Sequence, residues 1–169
     1  PILSSDVTIN SLTIDVGASV DTAGNDLTIN STLSNDGTLF RQGGDTVSRT
    51  DVDSGTVIYQ TSGGAVQRYP AESADYYDLQ LDGATFTLGG ALRVARDLSG
   101  PGMLVGVIVA VVVGRDFTIA VYDGSTGTTT VTRDWTVGAY TNNGGAVTLA
   151  GTGLVSAGTF RSITVSGGT

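Results

Sequence analysis

The stretch DLTINSTLSNDGTLFRQGGDTVSRTDVDSGTVIYQTSGGAV, residues 26–66, decides how the chain is read, because it returns in altered form 90 positions later. Asp26 meets Asp116, Thr28 meets Thr118 and Ile29 meets Ile119. Gly37, Thr38, Thr46 and Val47 meet Gly127, Thr128, Thr136 and Val137; Gly55, Val57 and Gly63 meet Gly145, Val147 and Gly153. These ten gap-free identities exceed what a Gly-, Thr- and Val-rich composition gives by chance. Farther on the register slips by six, so that Tyr76 aligns with Phe160, Leu79 with Ile163, Leu81 with Val165 and Gly83 with Gly167. The slip predicts a longer loop in the first copy, at residues 69–75 (YPAESAD). The chain thus reads as one full β repeat, 27–116, and a truncated second repeat, 117–169. Residues 1–26 read as the end of a preceding repeat or as a donor segment. Such units cannot bury their apolar faces alone and gain a core by stacking. With no signal peptide and both ends falling within a repeat, the expectation is a section of a longer protein or a subunit that continues into its neighbour.

Period-2 alternation recurs along the whole chain: Val7-Thr8-Ile9, Leu12-Thr13-Ile14, Leu27-Thr28-Ile29, Leu79-Gln80-Leu81, Ile163-Thr164-Val165. Each triplet places apolar residues on one face and a polar one on the other, as a half-buried strand requires. Turn signals separate them, among them Asn35-Asp36-Gly37, Asp82-Gly83 and Asn143-Gly144-Gly145. Helix formers are scarce: Glu72 is the only Glu, Met103 the only Met, and Lys is absent. The fold expected is all-β, a parallel β-helix or β-solenoid. The alternative is a β-sandwich, pilin-like subunit joined by a donor strand, with residues 1–14 as the donor. A 90-residue unit is expected to make about four coils, each advancing about 4.8 Å.

Composition narrows the function. The net charge is −8, with only 14% of residues charged, so no basic patch exists to neutralise nucleic-acid phosphates. Cys is absent, and with it any disulfide framework or thiolate metal site. His is also absent, which removes the commonest general base and metal ligand, and no Ser nucleophile can be His-activated. The longest apolar run, MLVGVIVAVVV at 103–113, is shorter than the roughly 20 residues of a helical membrane span. It reads as one or two buried strands or as a seam against a neighbouring subunit.

Arg133-Asp134-Trp135-Thr136 leads into Asn142-Asn143-Gly144-Gly145-Ala146-Val147-Thr148-Leu149, then Gly151-Thr152-Gly153 and Thr159-Phe160-Arg161-Ser162-Ile163-Thr164-Val165. This succession resembles the β-strand repeats of large bacterial surface proteins, the adhesin-like and filamentous-haemagglutinin-like group. Gly55-Thr56-Val57-Ile58-Tyr59 and Tyr76-Tyr77-Asp78-Leu79-Gln80-Leu81 carry a degraded version. The sequence departs from that pattern at Arg133, where Gly is usual, and in the unbroken run 103–113. The resemblance implies a parallel β-helix, export to the cell surface or beyond, and an adhesive or scaffolding role.

The expected function is therefore that of an extracellular structural protein, not an enzyme, that polymerises with copies of itself into a filament, sheath or adhesin stalk. Ile9, Leu12, Ile14, Val107 and Val109 are the candidate subunit contacts. The competing expectation is a carbohydrate-binding or polysaccharide-cleaving β-helix, with Trp135 and Tyr69 as exposed platforms for surface polysaccharide. Asp51 and Asp53 are candidates for a calcium or acid–base site if a strand places both on one face; otherwise they flank a turn. No cofactor is expected: Gly-rich pieces such as Gly43-Gly44 lack the P-loop Lys.

Overall fold

Apolar–polar–apolar triplets separated by tight turns do not pair into hairpins here, because each turn bends the chain onward to a new face instead of back. The computed structural model describes residues 1–61, 63–106, 109–124, 126–156 and 159–166. In it the chain winds as an all-parallel β-solenoid of about eight turns, with no helix among the described residues. The β-sandwich alternative is corrected by this topology, since a sandwich of donor-strand subunits is built on antiparallel pairs. Residues 1–14 are likewise no loose donor: Val7–Ile9 and Leu12–Ile14 pair in parallel with Leu27–Ile29 and Leu33–Asn35.

Each coil presents three strand stations. The first face stacks Ser19–Asp21, Thr38–Gln42, Thr56–Thr61, Asp78–Gly83 and the beginnings of Leu98–Gly106, Phe117–Asp123 and Trp135–Thr141. The ends of those last three strands, with Gly64–Val66 and Thr85–Leu88, make the second face. Between the two faces Leu98–Gly106 bends, with a register shift between Gly100 and Met103. The third face carries Leu92–Val94, Val111–Val113, Thr129–Val131, Val147–Leu149 and Ile163–Val165. Pairing crosses both expected repeat boundaries, at 26/27 and at 116/117.

Coil length follows from the register. Leu79 pairs with Leu98, Leu98 with Phe117 and Phe117 with Trp135. The hydrogen-bonded corner residues of the same coils stand 18 or 19 positions apart. The repeat spacing therefore spans nearly five coils, not the four expected. The coil that carries Val57 round to its partner Leu79 is longer than these, and its excess lies in the 69–75 loop that the slipped register predicts. The run 103–113 falls in two strands, Leu98–Gly106 and Val111–Val113, on successive faces.

Triplets alternate as patterned: Leu27 and Ile29 are buried with Thr28 exposed, and Val111 and Val113 are buried with Val112 exposed. The interior changes composition along the axis. Aliphatic Ile14, Leu27, Ile29 and Leu39 fill the first coils, whereas Phe117, Tyr122, Trp135, Tyr140 and Phe160 form an aromatic column in the last. Its rings lie 5.0–5.9 Å apart, mostly edge to face, the arrangement the ring quadrupole favours. Gly55 marks a corner where no other residue fits. Its φ is +69°, and a Cβ there would lie 1.9 Å from the Asn35 carbonyl oxygen of the coil below.

Candidate functional site

The chemistry-bearing side chains gather in two places, and both join one coil to the next. The first is a charged staircase on the corner between the third and first faces. The dipeptides Arg96-Asp97, Arg115-Asp116 and Arg133-Asp134 occupy that corner in three successive coils. Each guanidinium grips the carboxylate one coil back with two parallel bonds: Arg96 on Asp78, Arg115 on Asp97, Arg133 on Asp116. The Nε–Oδ1 distances are 2.8, 2.7 and 2.6 Å. Each Arg also lies within 3.4–3.6 Å of the Asp that follows it in sequence. Backbone N–H groups of the next coil bond the same carboxylates: that of Asp97 donates to Asp78, Asp116 to Asp97, Asp134 to Asp116 and Leu154 to Asp134.

Fork-to-carboxylate geometry is the strong form of this interaction. It shifts the groups as expected. Burial opposes the Asp116 charge, but Arg133, the Asp134 N–H and Arg115 outweigh it and hold its pKa below the ordinary value of 3.8. Hydrogen bonds to Asp78, Asp97 and Asp116 raise Arg96, Arg115 and Arg133. The staircase begins where Arg96 lies over the Tyr77 ring, 4.8 Å from its centroid, and ends at Gly153-Leu154. An open groove of about 290 Å³ runs beside it, lined by Asp97, Leu98, Ser99, Asp116 and Thr118. Its carboxylates already face Arg and backbone N–H partners, which leaves little capacity for a cation. The Arg-Asp recurrence, once per coil, is legible in the sequence, but an alignment at the longer repeat spacing steps over it.

The second cluster is inside the solenoid. Arg41 is buried against Asp45 at 3.2 Å, Gln67 Oε1 at 2.6 Å and the Tyr69 hydroxyl at 3.1 Å, with its guanidinium 5.1 Å from the Tyr59 ring centroid. Thr22 donates to Asp45 from the coil below, and the Tyr59 and Tyr76 hydroxyls share a bond of 2.9 Å. Burial works against the Arg41 charge, yet the surrounding tyrosine oxygens and Asp45 outweigh it and raise its pKa; burial raises Tyr59, Tyr69 and Tyr76 as well. Gln67 has a particular task. Its side-chain amide accepts from the Val47 N–H and donates to the Val47 carbonyl, both at 2.9 Å, and so substitutes for a missing strand. Asp75, fully buried, accepts the Tyr69 and Arg93 N–H groups and pins the long loop.

The expected site residues fall as follows. Trp135 is 0% exposed and Tyr69 only 9%, so the expectation of exposed sugar platforms is corrected for both. Trp135 is an inward position in line with Phe117, and Tyr69 turns in to bond Arg41 and the Val47 carbonyl. Asp51 and Asp53 lie on a bend, not a strand face, which corrects the paired-face reading. Asp51 accepts the Asn35 N–H at 2.7 Å and the Asp53 N–H at 3.1 Å. Burial opposes its charge, but its bonds with Asp53 and these backbone groups bring its pKa down, while the bond and repulsion from Asp51 push Asp53 up. Among the described residues no three Asp or Glu converge as metal ligands. Ile9 and Leu12 sit half-buried on the first coil, and Ile14 beside them is buried. Val109 is half-buried and packs on the core between Leu98–Gly106 and Val111–Val113. Val107 lies outside the described residues.

Sequence reasoning does not single out the far edge. There Leu154 is 77% exposed and Val165 66%, with Val155 and Ile163 also open to water; at the near edge Ile2 is 73% exposed. Fold and site together define a parallel β-solenoid whose charged groups serve as coil-to-coil staples. No family model, curated protein or solved structure matches the chain. No helix is long and apolar enough to cross a membrane among the described residues.

Proposed function

We propose that this protein is a structural β-solenoid whose task is length, serving as a segment of an extracellular filament, sheath or adhesin stalk. The observation that carries the reading is the contrast between inner and outer coils. Every inner coil is hydrogen-bonded on both sides, while the outermost described coils leave apolar side chains and a row of strand-edge N–H and C=O groups in water. Such edges are templates for a further strand, and a heterologous contact that does not close builds a filament. The staircase and the buried Arg41 cluster support the same reading, because each ties successive coils together along the axis. The likeness of residues 133–165 to bacterial surface repeats supports the extracellular setting.

Sedimentation velocity of the purified chain over a range of concentrations, with electron microscopy of the same samples, tests the proposal. The expected result is rods that lengthen as concentration rises. A single monomeric species at every concentration would contradict it.

A further inference from the structure

We infer that copies of the chain stack head to tail in a single register, with Leu12-Thr13-Ile14 of one copy lying as the next rung on Ile163-Thr164-Val165 of another. The inference rests on the filament reading and specifies its joint.

Three observations carry it. The first is backbone polarity. On the near edge, Leu12 N–H donates to Thr32 O and Ile14 O accepts from Asp36 N–H, both toward the second coil. Alternation along a strand then turns the Thr13 N–H and C=O outward. On the far edge, the Ser162 carbonyl and Ser166 N–H bond back to Val147 and Leu149, which turns the Ile163 and Val165 groups outward. The two open rows are offset by one residue, as the two sides of a parallel ladder must be.

The second is side-chain continuity. Third-face strands place their inward residues, apolar except for Thr129, in columns: Leu92, Val111, Thr129, Val147, Ile163 in one, and Val94, Val113, Val131, Leu149, Val165 in the next. Leu12–Ile14 stands on the same face, reached through its partner Leu33–Asn35, the Asn35–Asp51 and Thr50–Asp75 bonds and the Tyr76–Val94 bridge. In the joint, Leu12 and Ile14 therefore extend those columns and Thr13 extends the outward Thr130, Thr148, Thr164 column. The half-buried Val7, Ile9 and Leu12 and the exposed Ile163 and Val165 would be covered together.

The third is charge. Residues 1–40 hold five Asp and no Arg, whereas residues 135–169 hold Arg161 as their only charged side chain. Two near ends repel each other, and a near end meets a far end without repulsion.

The register is read by disulfide trapping, for which the absence of native Cys gives a clean background. In the stacked rung the Thr13 and Thr164 Cα atoms are about 4.8 Å apart, inside the range a disulfide bridges. Within one copy the same positions are separated by about eight turns, roughly 38 Å, and cannot join. The double variant Thr13→Cys/Thr164→Cys, oxidised under assembly conditions, is expected to give a ladder of covalent multimers on a non-reducing gel. Thr28→Cys/Thr164→Cys is expected to give none. Dimers from Thr164→Cys alone, or from Thr13→Cys alone, with no ladder from the pair, mean tail-to-tail or head-to-head contact and overturn the inference. Rods that form while the pair gives no ladder overturn this register and leave the filament reading standing. A chain that neither forms rods nor cross-links sinks both, and assigns the edges to something other than a second copy.

Discussion

Asp97 accepts from Arg115 and from the Asp116 N–H while Arg96 lies beside it, so its loss unties two coils while changing no core volume. Asp97→Ala is expected to cost about 1–2 kcal/mol, the sum of one charge-assisted pair in a network and one orphaned N–H, measured by urea unfolding. Arg41 behaves differently because it is sealed from water. Removing its partner by Asp45→Ala leaves a buried guanidinium uncompensated, and a loss of about 3–5 kcal/mol is expected. The double variant Arg41→Leu/Asp45→Leu is expected to be less destabilised than Asp45→Ala; a loss at least as large would refute the account of that cluster. Roles at this scale are the hardest to read in the sequence. An aromatic such as Trp135 looks the same in a string of letters whether it faces the lumen or the solvent, and only its register against Phe117 decides. Tyr69 escapes for a related reason: its hydroxyl finds Arg41, which is remote in sequence and on another coil.

Strands and corners are far more legible. Triplets such as Leu27-Thr28-Ile29 and Val147-Thr148-Leu149 carry their inside and outside in their alternation, and the slipped register locates the long loop at 69–75. Coil length is not legible, because nearly five coils together make up one repeat spacing, and the echo says nothing of its divisor. Asp51 and Asp53 mislead for want of the corner geometry that places them on a bend. Corner glycines supply a test at this scale. Gly17 and Gly55 both have positive φ, but a Cβ at Gly17 meets open space and one at Gly55 meets Asn35. Gly17→Ala is expected to cost about 1 kcal/mol from backbone strain alone, and Gly55→Ala clearly more, by thermal unfolding. Acid tests the staircase. Asp116 has a folded pKa below its ordinary 3.8, so it stabilises the folded chain above that value and loses this contribution as pH falls through the lower folded one. Asp116→Asn is therefore expected to flatten the stability profile below about pH 4 relative to the parent chain.

At the scale of the whole molecule, the aliphatic column, the Arg41 cluster and the aromatic column form one uninterrupted interior, and among the described residues nothing in its cross-section closes it at either edge. A parallel β-solenoid that elongates by adding identical coils keeps the strand spacing of about 4.8 Å across every subunit boundary. Cryo-electron microscopy of the assembled chain measures this directly. A smooth rod is predicted, with a strong axial spacing near 4.8 Å and a subunit repeat of about 43 Å, the roughly 38 Å between the Thr13 and Thr164 rungs of one copy plus one further rung at the joint. Globular beads joined by linkers, or dispersed particles of one fixed size, would contradict it.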